Sequence, residues 1–516
     1  MVMDTASLTP SDVSTSVHEP PVDDRRWWVL GVLVLSLVVV MTANTSLNLA
    51  IPSLVRETHA SSTQLQWIVD AYALVFAGVL LTAGAIGDRF GRKGALLCGL
   101  VIFGSMSLLA TTADDPGALI AIRAIQGLGA AFIMPGTLSI LAAVFPPHER
   151  ARAIAVWAGF ASSGAAIGII GSGWLLEHFW WGSVFFVNVP IIAIAIVLVA
   201  ALVPTSRDPA GVRLDGVGAA LSIIGLGFLL FGIIEGPERG WTDPLTVAGF
   251  VIALLAVTAF MAWELHTERP MLDLRFFADP AFSVGTVTIA LTFFSMFGMW
   301  FLMTQYLQSV RGYTPLDAGI RTLPMVAAMM LAAPRSARLA ERFGRRAVIS
   351  AGLLFMTAAL ATLASLDMDT SYWVLAGGLV LLGIGMGNVA APATGAVMTA
   401  LPLAKAGVGS AVNDTAREVG GALGIAVLGS LLASGYRANI DSSASALSDQ
   451  SATVAKQSVG AALQESALLG GDAGAGLANA ARSAYVDAMS TALFVAAIVL
   501  LLTVAVVWRY LPRDQQ

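Results

Sequence analysis

Long runs of apolar residues alternate along this chain with short polar connections. A helix needs about 20 apolar residues to cross the hydrocarbon core of a bilayer, and this spacing predicts fourteen spans. Their approximate bounds are 28–51, 64–86, 94–112, 117–144, 151–175, 183–203, 215–235, 245–264, 282–308, 316–338, 347–366, 372–400, 406–434 and 486–510. We therefore expect an all-α integral membrane protein.

The composition supports the same class of protein. Of the 516 residues, 57% are hydrophobic and only 12% are charged, whereas about a quarter of a soluble globular domain is charged. The one cysteine, Cys98, excludes a disulfide within the chain and a metal site built from several cysteines.

The polar ends and connections predict the orientation. Residues 1–26 are polar and mildly acidic and lack the basic head of a signal peptide, so we interpret them as a disordered tail. With fourteen spans both termini lie on one side. If that side is the cytoplasm, most of the 28 Lys and Arg residues fall in cytoplasmic segments, as the positive-inside rule requires.

A repeat divides the chain. "RLAERFGRR" at 338–346 repeats "AIGDRFGRK" at 85–93, and each stretch connects two spans. The simplest division has a six-helix bundle at 27–204, two linker helices at 205–280 and a second six-helix bundle at 281–516. Internal repeats of this kind are typical of secondary transporters.

A long segment at about 436–485, rich in Ala, Ser and Gly, precedes the last span. Two short amphipathic helices, at 451–468 and 474–486, would form a hairpin on the outer face of the membrane. A loose loop is the alternative.

Several stretches carry a resemblance to a known family. "GAIGDRFGRKGAL" (84–96), "LIAIRAIQGLGAA" (119–131) with Arg123, and "SVFFVNVPI" (183–191) resemble the signature motifs of the major facilitator superfamily and its fourteen-helix drug:proton antiporters. "LQWIVDAYALVFAG" and "RPMLDLRFF" are most similar to QacA-like multidrug (quaternary ammonium) exporters. The resemblance implies the major facilitator fold, with 14 transmembrane helices as 6+2+6 in the bacterial inner (plasma) membrane and both termini cytoplasmic.

The charged loop of the first repeat has a physical role and an implied one. Its glycines permit a tight turn, and Asp88 can accept hydrogen bonds from arginines or from a helix N-terminus. The resemblance implies that this loop latches the two halves when the protein is open to the outside; a topology anchor alone is the alternative. The gating residues would be Gly87, Asp88, Arg89, Gly91, Arg92 and Lys93.

Charges inside spans are candidates for function, because a charge at a helix centre costs about 2.5–3.5 kcal/mol on insertion scales. Asp70 and Arg123 lie at matching depths, about 10 Å and 9 Å from the outer ends of their spans, so the two could pair. Asp70 would then be a protonatable site or a cation anchor. A structural salt bridge is the alternative.

A second candidate group lies in the span at 406–434. Asp414 and Glu418 are four residues apart and share one helix face near mid-membrane. A lipophilic cation could replace a proton shared by the two carboxyl groups, which is the basis of antiport. Arg417, which lies between them in sequence, offers the alternative of a structural network. The predicted proton-coupling residues are Asp70, Arg123, Asp414 and Glu418.

Aromatic and Met side chains would complete a substrate pocket, since aromatic faces attract organic cations and Met adapts to varied shapes. Lipid contact or ordinary packing is the alternative for each of them. Together with Asp70, Asp414 and Glu418, the candidates are Trp67, Tyr72, Trp157, Phe293, Phe294, Phe297, Trp300 and Met303.

Three positions depart from the pattern of the family. Ala43 and Met329 stand where acids are usual, and Ile169 stands where the helix-five motif usually has Pro. The loss of two acids suggests fewer protonation sites or a narrower charge range of substrates.

The function implied is proton-coupled export of lipophilic, mostly cationic drugs, dyes or antiseptics. A dedicated exporter of one metabolite, antibiotic or lipid is an open alternative, and a nutrient importer is a further one. A membrane enzyme is unsupported, because the sequence has no Ser/His/Asp grouping, no metal-spaced His cluster and no phosphate-binding loop. We expect protons, lipophilic cations and membrane lipids as partners of a monomer, with no cofactor, metal or nucleic acid.

Overall fold

The computed structural model describes residues 25–207, 215–267, 270, 272–401, 406–444 and 447–512. Nearly all of the predicted N-terminal tail at 1–26 lies outside these residues. The regular elements within them are helices: α1 Arg26–Thr58, α2 Ser62–Phe90, α3 Arg92–Ala110, α4 Pro116–Val144, α5 Pro147–His178, α6 Ser183–Phe186, α7 Asn188–Leu202, α8 Gly216–Arg239, α9 Pro244–His266, α10 Pro280–Gln305, α11 Pro315–Phe343, α12 Arg345–Ala364, α13 Tyr372–Thr399, α14 Ala406–Ala444, α15 Asp449–Ala455, α16 Val459–Leu469 and α17 Gly471–Tyr510. The predicted all-α architecture is confirmed.

Local sequence explains where several helices begin. Asp115, Asp279 and Thr314 each precede a proline, and their side chains accept hydrogen bonds from backbone N–H groups of the first turn. A short polar side chain at the N-cap satisfies donors that have no partner within the helix, and proline fits the first helical position.

The two repeated charged loops are sharp breaks between helices. Gly91 (φ +130°) separates α2 from α3, and Gly344 (φ +82°) separates α11 from α12. Side chains rarely adopt these positive φ values, so glycine permits the helices to turn without a connecting loop.

The first and last parts of the chain pack in the same order. In the first part, α4 packs against α2 and α3, α1 against α5, and α3 against α7. In the last part, α13 packs against α11 and α12, α10 against α14, and α12 against α17. We call α1–α7 the first half and α10–α17 the second half. The linker helices α8 and α9 pair with each other, and α8 also contacts α2 and α14.

Thirteen helices in the described part of the chain are long and apolar enough to cross a membrane. The 32-residue helix α5 occupies the place of the remaining predicted span, but many of its side chains lie outside the described residues. The count of fourteen and the orientation of the termini therefore stay predictions. The end of the bundle with Gly91 and Gly344 is called the arginine-rich end below, and the opposite end, which carries α15 and α16, is called the hairpin end.

The hairpin end differs from the prediction. Helices α14 and α17 contain 39 and 40 residues, about 60 Å each at 1.5 Å per residue, and exceed a bilayer core of about 30 Å. The predicted separate helix at 474–486 is wrong, because those residues continue into the last span as α17. The Ala-rich sequence after Gly471 favours helix and contains no proline. Helices α15 and α16 fold back instead, and the Tyr436 hydroxyl donates to the Ala455 carbonyl oxygen (3.0 Å).

Candidate functional site

Asp70 is a fully buried carboxyl group on α2 (0% exposed). Neither of its carboxylate oxygens has a hydrogen-bond partner among the described residues. One turn earlier, Gln66 lies against Gly429 of α14. One turn later, Ala73 packs with Ala422 and Ala426 of the same helix. Residues three and four apart share a helix face, so Asp70 lies on the side of α2 that meets α14.

The predicted Asp70–Arg123 pair is wrong. Arg123 of α4 is also fully buried (0% exposed), but its Nε donates to the Ile68 carbonyl oxygen (3.2 Å) and its guanidinium lies 4.2 Å from the centre of the Tyr72 ring. Ile68 and Tyr72 are four apart on one face of α2, whereas Asp70 falls midway between them in sequence and projects from the opposite face. Matching depth along two helices did not imply matching orientation.

Two residues that the sequence analysis did not single out extend the site. Arg123 Nη1 donates to Gln126 Oε1 (2.7 Å), and Gln126 Nε2 donates to the Ser107 hydroxyl of α3 (2.9 Å). All three side chains are buried. The spacing of Arg123 and Gln126, three residues apart on one helix face, was the signal that could have identified Gln126.

On α14, an arginine lies between the two predicted acids in sequence. Arg417 Nη1 is 3.9 Å from Asp414 Oδ1, the long limit of an ion pair, and its guanidinium stacks 5.2 Å from the centre of the Phe293 ring. Glu418 Oε2 is buried and has no hydrogen-bond partner in the described part of the chain. The Asp414 side chain is 21% exposed. Arg417 thus approaches one acid and leaves a Glu418 oxygen without a partner.

Packing of α2 against α14 brings the two groups together. On the opposite face of α2, the Tyr72 ring lies 4.2 Å from the Arg123 guanidinium. The structure thereby brings Asp70, Arg123 and Tyr72 of the first half into one buried region with Glu418 of the second half.

Two predicted pocket aromatics face this region. Phe293 and Phe297 of α10 meet edge to face (5.7 Å between ring centres). Phe297 lies directly against Gly421 of α14, and the Arg417 guanidinium stacks on the Phe293 ring. Gly421 lies three residues after Glu418 on α14, so Phe297 packs on the helix face that carries this acid, while Arg417 covers the Phe293 ring.

The other predicted pocket residues make packing or hydrogen-bond contacts of their own. Trp67 packs against the cluster of Ala73, Ala422 and Ala426, and its Nε1 donates to Glu235 Oε1 of the linker helix α8 (3.2 Å). Trp157 Nε1 donates to the Thr137 hydroxyl of α4 (3.3 Å). Met303 is 0% exposed and belongs to the core of the second half, as does Phe294. Trp300 packs against that core from its edge. For these residues, packing explains the apolar side chain.

The charged loop of the first repeat is tied to its own half. Arg92 Nε is 2.7 Å from Asp88 Oδ1, and Lys93 Nζ donates to the Ala200 carbonyl oxygen of α7 (2.8 Å). Arg89 stacks on the neighbouring Phe90 ring, and Gly87 lies against Ala95. Within the described ranges, these contacts all lie inside the first half. The loop is thus not latched onto the second half here.

The contacts that join the halves lie toward the hairpin end. Gln308 Nε2 donates to the Leu49 carbonyl oxygen of α1 (2.9 Å), and the Ser62 hydroxyl donates to the Gln457 carbonyl oxygen (2.7 Å). Gly173 of α5 approaches Leu316 of α11 so closely that an added Cβ would lie 2.8 Å from the Leu316 Cα. The structure is therefore closed at the hairpin end.

The three departures from the family pattern have structural consequences. Ala43 is buried in the core of the first half. Ile169 is buried against Gly319 of α11, and the backbone of Met329 lies against glycines of α13. None of these side chains can titrate. The described residues also contain no group of three or more His, Cys, Asp or Glu side chains placed to hold a metal ion.

Comparison with known proteins identifies relatives. The sequence profile described as Major Facilitator Superfamily matches residues 33–425. The chain is 35% identical to the methyl viologen resistance protein SmvA of Salmonella typhimurium over 496 residues, covering 95% of this chain and 99% of SmvA. It is 33% identical to the multidrug efflux pump LfrA of Mycolicibacterium smegmatis, with 94% and 96% covered. It is 32% identical to the tetracenomycin C resistance and export protein of Streptomyces glaucescens, with 82% and 80% covered.

Solved structures share the fold at low sequence identity. A bacterial homologue of the human lysosomal transporter Spinster, in an inward-facing and unoccupied conformation, matches with a TM-score of 0.66 and 18% identity, covering 94% of this chain and 97% of that chain. The peptide transporter PepTSo matches with a TM-score of 0.59 and 15% identity, covering 92% and 97%.

Proposed function

The chain belongs to the Major Facilitator Superfamily, a family of multi-pass membrane transporters and not enzymes, and from that premise we propose that it exports lipophilic cationic drugs in exchange for protons. Curated relatives covering nearly the whole chain are named for methyl viologen resistance and for multidrug efflux. The proposed setting is a bacterial inner membrane, with 6+2+6 helices and the arginine-rich end in the cytoplasm.

The observation that carries the proposal is Asp70. Its carboxyl group is fully buried where α2 meets α14, and its oxygens have no partner in the described part of the chain. An ionised carboxylate in such a place is costly unless a cation or a proton neutralises it. A lipophilic cation and a proton would therefore compete for the same charge, which is the requirement for antiport.

The site offers a cation two kinds of interaction. Glu418 and Asp414 supply negative charge on α14, and Phe297 supplies an aromatic ring on α10, edge to face with the Phe293 ring on which Arg417 stacks. Asp414 is more exposed than Asp70 and lies nearer the arginine-rich end of α14 than Glu418 does. A cargo entering from that end would reach Asp414 first and then the buried acids.

Alternation between two states supplies the transport step. The halves are in contact at the hairpin end, and the Asp88 loop is unlatched at the other end. Closing the arginine-rich end while opening the hairpin end would make the same acids accessible first from one side of the membrane and then from the other. Closing of the Asp88 loop onto the second half would hold the second state.

Transport by an Asp70→Asn variant tests the proposal. The protein is placed in proteoliposomes with a pH gradient, and uptake or release of a lipophilic monocation such as ethidium is followed by fluorescence. Asn has nearly the same shape without the charge, so we expect the pH-driven rate to fall more than tenfold. Asp114→Asn, the same change in an exposed connection, is the matched control and should transport normally.

Two results would contradict the proposal. Equal transport by both variants would remove Asp70 from the mechanism. Transport by the unaltered protein that followed ATP and ignored the pH gradient would exclude proton exchange.

A second candidate function is export of one specific antibiotic. The similarity to the tetracenomycin C resistance and export protein favours it, and the two positions that lack the usual acid, Ala43 and Met329, would suit a narrower charge range of cargo. A panel of structurally unrelated cations separates the two functions, because a dedicated exporter would move one chemical class alone.

A further inference from the structure

A cleft separate from the acids of the central site opens at the arginine-rich end of the second half. It has a volume of about 960 Å³ and lies between the ends of α11, α12, α13 and α17. Its polar lining includes Glu341, Arg345, Arg346 and Thr399, and Trp508 closes one side. The acids of the proposed transport site are absent from its lining.

Arg346 is the side chain in the cleft that has an unsatisfied hydrogen-bond donor. Its Nε is buried and has no hydrogen-bond partner in the described part of the chain. Its guanidinium lies 4.6 Å from the centre of the Trp508 ring, which orients the planar group and leaves its edge donors available. A buried donor without an acceptor is costly, so an acceptor from outside the chain would stabilise this arrangement.

Arg345 holds the start of α12 against α13, next to Arg346. Its Nη1 donates to the Thr399 hydroxyl (2.7 Å) and to the Gly395 carbonyl oxygen (3.3 Å) of α13. Because Arg345 and Arg346 are the first two residues of α12, the free backbone N–H groups of that helix end lie beside them. Two guanidinium groups and a helix N-terminus against one carboxylate give the cleft a net positive charge.

The position of the cleft matches the headgroup level of a membrane. Trp508 and Tyr510 are 55% and 58% exposed at the end of α17, and Trp and Tyr concentrate where a membrane meets water. Toward the middle of α17, Phe494, Ile498 and Leu501 are exposed, and their spacing places them on the side of the helix that carries Trp508, as an apolar track leading from the cleft. A molecule with a charged head and an alkyl chain fits both features at once.

We propose that this cleft binds an anionic phospholipid, with the phosphate on Arg346 and the N-terminus of α12 and an acyl chain along α17. Arginine forms paired hydrogen bonds with phosphate oxygens, and helix N-termini are ready-made anion sites. The positive charge excludes the cationic cargo proposed for the central site. The lipid would brace α12 against α13 and α17, the outer wall of the second half.

Lipid retention by the purified protein tests this site. Full-length protein is titrated in detergent with phosphatidylglycerol, and bound lipid is counted by native mass spectrometry. Arg346→Gln should weaken the binding about five-fold, since a basic residue near an anionic lipid contributes about 1 kcal/mol. Arg342→Gln is the matched control: it removes the same charge from the same loop, and Arg342 does not line the cleft.

The outcomes are distinct. Selective loss in Arg346→Gln supports the site, as does a similar loss in Trp508→Ala with an unchanged circular dichroism spectrum. Equal loss in Arg346→Gln and Arg342→Gln would show general surface attraction and overturn it. Equal retention of phosphatidylcholine would also overturn it, as would displacement of the lipid by millimolar inorganic phosphate, which would indicate a site for the free anion.

Discussion

The approach of α5 to α11 at the hairpin end gives a quantitative test of how the two halves move. A Cβ added to Gly173 would lie 2.8 Å from Leu316 Cα and 3.2 Å from its backbone nitrogen. Carbon atoms in comfortable contact are about 3.5–4.0 Å apart, so Gly173→Ala must separate the helices by about 1 Å. Backbone atoms cannot rotate away as a flexible side chain can.

The expected size of the effect follows from this geometry. Overpacking of this kind costs about 1–3 kcal/mol. The cost falls on the state in which the halves touch at the hairpin end and disappears when that end opens. At about 1.4 kcal/mol for each factor of ten, the ratio of open to closed molecules should rise roughly 5- to 150-fold.

Gly171→Ala is the matched control. An added Cβ at Gly171 meets nothing within 4 Å, and both substitutions gain the same helix propensity. Spin labels at cysteines replacing Glu57 and Asp369, in a Cys98→Ser background, report the opening, since both positions are exposed at the hairpin end. Longer label distances in Gly173→Ala than in Gly171→Ala are expected. Identical distance distributions would refute the argument that this contact holds the end closed.

Two further predictions concern stability. Gly91→Ala should lower the melting temperature in detergent, because a residue with a side chain pays about 1–3 kcal/mol to adopt the φ of +130° found there. Gly94→Ala is the control and should leave the melting temperature unchanged, since an added Cβ at this position in α3 meets nothing within 4 Å. Equal melting temperatures of the two variants would contradict the strained turn. Hydrogen bonds from the Thr370 hydroxyl and the Asp369 backbone N–H hold the pKa of Asp367 below its ordinary value. A carboxyl group with a lowered pKa stabilises the folded state above its unfolded pKa of about 4, and this stability is lost as pH falls through the folded pKa. Asp367→Asn should therefore have a lower melting temperature than the parent at neutral pH and approach the parent in acid. A difference in melting temperature that did not change with pH would contradict this.

The sequence alone determined the class of protein and most of its elements. Apolar runs of bilayer length can be satisfied only as helices in a membrane, so the all-α architecture followed from the pattern of residues. The paired loops at 85–93 and 338–346 also determined the repeat, because each contains a glycine where the chain must turn at positive φ. The division into two bundles stays a prediction, and the helices of the first and last parts of the chain pack in the same order.

The tertiary structure decided which charges meet. Depth along a helix can be counted from sequence, but the direction of a side chain depends on how the helix is rotated against its neighbours. Asp70 and Arg123 match in depth, but Asp70 projects from the face of α2 opposite to the one that α4 meets, so Arg123 contacts Tyr72 and Gln126 instead. The same reason turned Trp67 to α8 and buried Met303 in the core. Contacts between halves far apart in the chain, such as that of Gln66 with Gly429, depend on packing that no local pattern of residues specifies.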